Sequence, residues 1–219
     1  MARARHLPPP VKSSRAGQLR LTGGRKLLSP RGSSTRPTTA RVREAVMNIL
    51  GPRLAEAHWL DLCSGSGVMG CEALQRGAAR VVAIEKQAQA AAICRSNLEL
   101  TASGRPGPCD VQVVQTDLVS WLQRGRPLAD PGFDLVYFDP PYTSELYGKG
   151  LRALDDGRWV GPDSLVLCEH EIKQKPAIPD GWRVIDHRNY GISGVLMLSP
   201  PEHCHGGIGS MQPRTGPAM

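Results

Sequence analysis

Asp139-Pro140-Pro141-Tyr142 ends the apolar run "DLVYF" with a carboxylate, a rigid bend and an aromatic ring in four residues. Two consecutive prolines remove two backbone donors and fix φ, so the chain beyond Asp139 is stiff, extended and unable to continue a sheet. Such an ending suits one chemistry well. A planar nucleobase stacks on Tyr142 while its exocyclic amine donates to the Asp139 carboxylate and to the Pro140 carbonyl. The lone pair of an aryl amine is delocalised into its ring and is a poor nucleophile. Two acceptors on its hydrogens favour the pyramidal, cationic nitrogen that forms when it is alkylated. The plainer reading is a rigid turn followed by a half-buried aromatic.

A second constellation lies upstream, in "LDLCSGSGVMGCEAL", where Gly65-x-Gly67-x-x-Gly70 encloses Ser66. Glycines at that spacing permit a tight turn and let a ligand approach the backbone at a helix N-terminus. Glu85 follows fifteen residues after Gly70, placed to accept hydrogen bonds from both ribose hydroxyls of an adenosine cofactor. NAD and S-adenosylmethionine both fit a glycine turn answered by an acid. Asp61 separates them: a carboxylate is unfavourable beside a pyrophosphate and favourable beside the ammonium and sulfonium of S-adenosylmethionine. Asp117, in "QTDL", either reaches the adenine amino group or caps the next helix, and the two readings stand level.

The elements that must hold these groups follow from periodicity. From His58 onward short apolar runs alternate with helical stretches: "WLDLC", a helix over about 68–76, "RVVAIE", a helix over about 88–100, "VQVVQT", a short helix at "LVSWLQR", "DLVYF", a helical stretch over about 144–154, then "SLVLCEH", "WRVIDHRNY" and "GVLMLS". Strict alternation implies right-handed βαβ units and a doubly wound α/β domain with a parallel sheet covered on both faces. In such sheets ligands sit beyond the carboxyl ends of the strands. Asp139 and the glycine turn therefore share one crevice. Ahead of this domain, "GQLRLTGGRKLL" reads as a basic hairpin turning at Gly23-Gly24 through a primed turn. "TTARVREAVMNIL" reads as a helix capped by Thr38 or Thr39 and ended by Gly51-Pro52, with Val42, Ala45, Val46, Ile49 and Leu50 inward and Arg41, Arg43, Glu44 and Asn48 on the other face.

Charge is concentrated at one end. Of 27 Lys and Arg, eleven fall between Met1 and Arg43, where there is no acid; the remaining 176 residues carry 16 basic and 20 acidic side chains. A basic arm on a slightly acidic globule suits nucleic acid, where Lys and Arg displace condensed counterions. Arg20, Arg25 and Lys26 of the hairpin are the candidate contacts. The six cysteines form no C-x-x-C pair, so reduced thiols are expected. No metal is expected either, since His203, Cys204 and His205 are too close in sequence to converge on one ion. No stretch reaches the ~20 apolar residues of a bilayer span, and the N-terminus lacks a secretory core, so a soluble, cytoplasmic protein is expected; a monomer is the expected state. The expected organisation is a disordered basic arm (1–16), an RNA-facing hairpin and helix (17–52), the α/β domain (53–199) and a flexible tail (200–219).

These motifs carry a resemblance. Glycine turn plus "DPPY" resembles the Rossmann-like methyltransferases of exocyclic amines. "GRKL" at 24–27 with "RPTTARVREAVMNIL" at 36–50 is similar to the RsmD-type 16S ribosomal RNA guanine-N2 methyltransferases, over about residues 17–199. The resemblance implies a Rossmann-like class I S-adenosylmethionine-dependent fold with a mostly parallel, seven-stranded sheet. It also implies S-adenosylmethionine as methyl donor, guanine 966 as target, and an assembling 30S subunit as partner. By motif, Asp61, Gly65, Ser66 and Gly67 would bind the donor's amino-acid end and Glu85 its ribose. Asp139, Pro140 and Tyr142 would grip guanine, and Arg36, Thr38, Thr39, Arg41 and Arg43 would shape the pocket or contact RNA. The sequence departs from the family's pattern at Cys63, Ser64 and the glycine-rich tail. "DPPY" is shared with DNA adenine methyltransferases, but about seventy residues between the two motifs leave no room for a base-reading domain. A ribosome-assembly binding module with an idle pocket would need none of Asp61, Glu85, Asp139 or Tyr142.

Overall fold

The computed structural model describes residues 19–29, 38–141 and 145–202. The expected arm at 1–16, nearly all of the tail, Arg36 and Tyr142 lie outside the described residues.

The first helix, α1 (Ala40–Leu50), is capped by Thr39, whose hydroxyl accepts from the Val42 N–H at 3.3 Å; Gly51, with φ 45°, ends it before a 3-10 turn at Gly51–Leu54. Val42, Val46, Met47 and Leu50 bury, at helical spacing. Arg43 buries with them, whereas Ala45 and Ile49 are only half-buried. The inward face is therefore rotated from the expected one, because buried partners await the Arg43 guanidinium.

The α/β alternation is as expected: β1 (His58–Leu62), α2 (Val68–Gln75), β2 (Arg80–Glu85), α3 (Ala88–Ser103), β3 (Asp110–Gln115), α4 (Leu118–Leu122), β4 (Phe133–Phe138), α5 (Glu145–Asp156), β5 (Val160–Glu171), β6 (Arg183–Tyr190) and β7 (Ser193–Ser199). The strands form one seven-stranded sheet in the order β3-β2-β1-β4-β5-β7-β6, parallel from β3 to β5, with β7 antiparallel to both neighbours. Strand order reverses between β1 and β4. The crevice of a doubly wound sheet opens there, beyond their carboxyl ends.

Strand side chains alternate, so the sheet has two cores. Trp59, Leu135, Tyr137 and Leu167 face α1, α2 and α3, and Leu60, Leu62, Val136 and Phe138 face α4 and α5. Register matters for the site. Asp61 lies opposite Tyr137, Tyr137 opposite Leu167, and Phe138 opposite Cys168.

The basic hairpin forms a single antiparallel bridge, Arg20 to Lys26. Its turn differs from the expected one. Leu21 accepts from the Gly24 N–H at 2.8 Å and the Leu21 N–H donates to Arg25 O at 2.9 Å, with positive φ at Gly24 and not at Gly23. This is a turn closed by a left-handed glycine, as in three-residue hairpin loops, rather than a primed two-residue turn. Leu21 and Leu27 join the core on the α1 side.

Candidate active site

The glycine turn leaves β1 through Cys63, whose φ of 60° is uncommon for a residue with a side chain. Gly65 (φ 53°) and Gly67 (φ 74°) continue it, and Gly67 caps α2 with no side chain at all. A Cβ at Gly67 would lie 2.6 Å from Cys94 Sγ, and one at Gly70 would lie 2.9 Å from Val81 Cγ1, so these two glycines seat α2 against α3 and β2. A Cβ at Gly65 would meet nothing within 4 Å. That side of the turn is open to a ligand.

Two acids frame the opening. Glu85 accepts from the Gly65 N–H at 2.8 Å and, through its other oxygen, from the Gln87 N–H at 2.8 Å. Each oxygen keeps a lone pair for a further donor such as a ribose hydroxyl. Asp61 is buried, and its Oδ2 accepts from the Gly70 N–H at 3.1 Å. Burial and, less strongly, the charge of Glu85 push its carboxyl up to about 8, against the lowering effect of that hydrogen bond. A cation placed beside Asp61 would reverse that shift, so the residues fit the ammonium and sulfonium of S-adenosylmethionine. Asp117 caps α4: Oδ1 accepts from the Ser120 N–H at 3.1 Å, and Oδ2 lies 3.3 Å from Lys86 Nζ. These bonds hold its carboxyl below the usual range. The capping contacts of Asp117 are therefore present.

Asp139 sits where β4 ends, its N–H donating to Leu62 O at 3.4 Å. That bond ties the "DPPY" segment to the last residue of β1, beside the glycine turn. Pro140 is buried and Pro141 exposed. Thr38 Oγ1 lies 3.4 Å from Asp139 Oδ2, so the residue before the α1 cap reaches the carboxylate. Asp139 is lifted well above the usual carboxylate range by burial, by the charge of Glu169 and by that of Asp61.

Tyr137 and Glu169 were not among the candidates read from sequence. Both are buried, and the Tyr137 hydroxyl donates to Glu169 Oε2. The signal was available in register: with Phe138 opposite Cys168, the next pair brings Asp139 beside Glu169, and alternation puts Tyr137 on the same face.

The basic candidates divide. Arg20, Lys26, Thr39 and Arg41 are exposed. Arg25 is half-buried, with Nη1 donating to Leu100 O at 2.9 Å on the last turns of α3. Arg43 is buried, donating to Thr38 O and to Arg20 O, both at 2.8 Å, with Nε 3.7 Å from Glu72. It ties Thr38 and the hairpin to α2 from inside. Glu72 and Asn97, also missed, dock the hairpin. Glu72 accepts from the Thr22 N–H at 2.9 Å and the Thr22 hydroxyl at 3.0 Å and pairs with Arg76 at 2.6 Å. Asn97 accepts from the Leu28 N–H at 2.8 Å and donates to Leu28 O at 3.0 Å and Ser66 O at 2.9 Å. Fully polar side chains inside apolar helical faces were the available signal.

Residues 16–199 match the family model described as Conserved hypothetical protein 95. The chain is 34% identical over 175 residues to a ribosomal RNA small subunit methyltransferase D of Escherichia coli, covering 77% of this chain and 83% of that one. It is 32% identical to the Haemophilus influenzae protein of the same name, covering 77% and 85%. A solved putative methyltransferase of Escherichia coli superposes with a TM-score of 0.71 at 31% identity, covering 85% of this chain and 100% of the other. Among the described residues no helix is long and apolar enough to cross a membrane.

Proposed function

The chain belongs to the Conserved hypothetical protein 95 family, the RsmD family, and on that premise we propose that it transfers a methyl group from S-adenosylmethionine to the exocyclic N2 amine of guanine 966 in 16S ribosomal RNA. The observation that carries this reading is the pairing of β1 with β4, which sets the Asp61 pocket and the Asp139 carboxylate at neighbouring strand ends. The names of the relatives, both ribosomal RNA small subunit methyltransferases, support the substrate.

In this reading Asp61 balances the cationic end of the donor, Glu85 takes the ribose hydroxyls, and the Gly65-Ser66-Gly67 backbone lies against the amino-acid end. The bound donor supplies a methyl group on a sulfonium, already activated for in-line displacement. Asp139 and the Pro140 carbonyl accept from the guanine amine, Tyr142 stacks on the ring, and Thr38 steadies Asp139. Positioning of this kind is worth ~7–11 kcal/mol of barrier. Arg20, Lys26, Arg36 and Arg41 face the RNA of an assembling 30S subunit, approached by a cytoplasmic monomer.

Offering the purified protein tritiated S-adenosylmethionine with methyl-deficient 30S particles, naked 16S RNA and duplex DNA tests the reading. Label in RNA, digested to N2-methylguanine, is expected. Label recovered as N6-methyladenine in DNA would sink it in favour of a DNA enzyme, and no label anywhere would leave only a binding module.

A further inference from the structure

The Asp139 carboxylate belongs to a buried polar chain that runs away from the glycine turn. Thr38 Oγ1 donates to Asp139 Oδ2 at 3.4 Å and neighbours the Tyr137 hydroxyl, which in turn donates to Glu169 Oε2. Tyr137 of β4, Asp139 just past its end, Glu169 of β5 and Thr38 ahead of the α1 cap thus set two hydroxyls between two carboxylates. The surrounding contacts hold this arrangement in place. Arg43 Nη1 donates to Thr38 O at 2.8 Å, and the Tyr147 hydroxyl of α5 donates to the backbone carbonyl of Glu169.

Methyl transfer to an amine releases a proton, and Asp139 cannot remain an acceptor for the amine while it holds that proton. We propose that Glu169 is the terminal proton acceptor of the reaction, reached from Asp139 through the hydroxyls of Thr38 and Tyr137. The inference rests on the methyl-transfer reading above. As the nitrogen lone pair forms the N–C bond, the C–S bond breaks and its electron pair stays on sulfur as a thioether. The cationic nitrogen gives a proton to the Asp139 carboxylate. Asp139 passes a proton to Thr38 Oγ, whose own hydrogen moves to the Tyr137 oxygen, and the Tyr137 hydrogen moves to Glu169 Oε2. Both hydroxyls are re-formed, Asp139 is again a carboxylate, and Glu169 is a carboxylic acid that returns its proton to water once product leaves.

The electrostatics favour such sharing. Asp139 faces Asp61 of β1, Cys63 just past it, Glu169 of β5 and Tyr137 of β4, and Thr38 reaches it from ahead of α1. Each carboxylate opposes ionisation of the other, so the pair's affinity for the proton that the amine releases is raised.

Steady-state kinetics of the full chain on methyl-deficient 30S particles test the relay. Glu169→Gln and Tyr137→Phe are each expected to lower kcat by about 10²-fold, with the KM for particles and the calorimetric affinity for S-adenosylmethionine unchanged. Thr38→Val should lose as much, Thr38→Ser should recover most of that loss, and the Thr38→Val, Tyr137→Phe double variant should be no worse than either alone. Tyr137→Phe turning over like wild type would overturn the relay, as would losses that follow weakened donor binding or a lowered Tm. A second readout needs no activity: with 13C-labelled carboxyl groups, the NMR titration midpoint of Asp139 should fall in Glu169→Gln. An unmoved midpoint overturns the relay, whereas a wild-type chain that labels none of the three substrates overturns the methyl-transfer reading.

Discussion

Asp61 shows at the scale of one residue how a site is built at the expense of the fold. Its carboxyl is buried with one backbone N–H as partner and is pushed up to about 8, chiefly by burial. The unfolded chain releases that proton near the ordinary value of 3.8, the folded chain only near 8. Between those values the native state binds the extra proton, so stability falls as pH rises through the window and is highest below it. Asp61→Asn keeps an oxygen for the Gly70 N–H and removes the titration. We therefore expect the variant to gain Tm over wild type as pH rises from 4 to 8, by about 2–4 °C for each kcal/mol recovered in a chain of this size. The same substitution should weaken S-adenosylmethionine in calorimetry at pH 7, because the neutral amide no longer balances the donor's cation. A Tm difference flat with pH would show that Asp61 titrates normally in the fold.

At the scale of elements, the hairpin is joined to the glycine turn by side chains rather than by a sheet. Asn97 of α3 spans both, holding the backbone of Leu28 on one side and Ser66 O on the other. Asn97→Ala leaves these part-buried groups without a protein partner, at about 1–3 kcal/mol each where water cannot replace it. The expected result is faster hydrogen exchange at the hairpin amides, including Leu27 and Leu28, together with a raised Kd for S-adenosylmethionine. Hairpin amides that stay protected in Asn97→Ala would mean that Glu72 and Arg43 suffice to hold it. This docking explains what was and was not legible in the sequence. The βα alternation was legible because β1, β2, β4 and the later part of β5 are buried on both faces and read as short apolar runs. The glycine turn and the placing of Asp61, Glu85 and Asp139 at or beside strand ends were legible because the apolar runs mark where β1, β2 and β4 stop. The first residues of β5 were not, since Gly161, Pro162 and Asp163 look like a loop yet lie in the strand. Arg43 was placed on the wrong face of α1 because its partners, Arg20 O and Glu72, lie 23 and 29 residues away and leave no mark in helical periodicity. Glu169 was missed because it meets Asp139 only through the register of β4 on β5.

For the whole molecule, the charge asymmetry divides between buried and exposed cations. Eleven of the basic residues precede Glu44, which suggests a broad electrostatic surface. Yet Arg43 is spent on internal acceptors and Arg25 on the carbonyl of Leu100, while Arg20, which also donates to Gly24 O at 3.1 Å, Lys26 and Arg41 are exposed. Exposed cations that neutralise phosphates release counterions, and each one removed lowers the slope of log affinity against log salt by about one. Replacing Arg20, Lys26 and Arg41 together with Ala should therefore weaken binding to a 16S RNA fragment and flatten that slope by up to about three. Arg43→Ala should behave differently. It leaves the Thr38 and Arg20 carbonyls without their donor, costing about 1–3 kcal/mol for each group that stays dry, so Tm should fall while the salt slope stays near wild type. Filter binding across a salt series with thermal melts of both variants separates the two classes. A triple variant with the wild-type slope would move the RNA surface away from the hairpin and α1, and an Arg43→Ala protein with full Tm and a reduced slope would turn that guanidinium outward to the RNA.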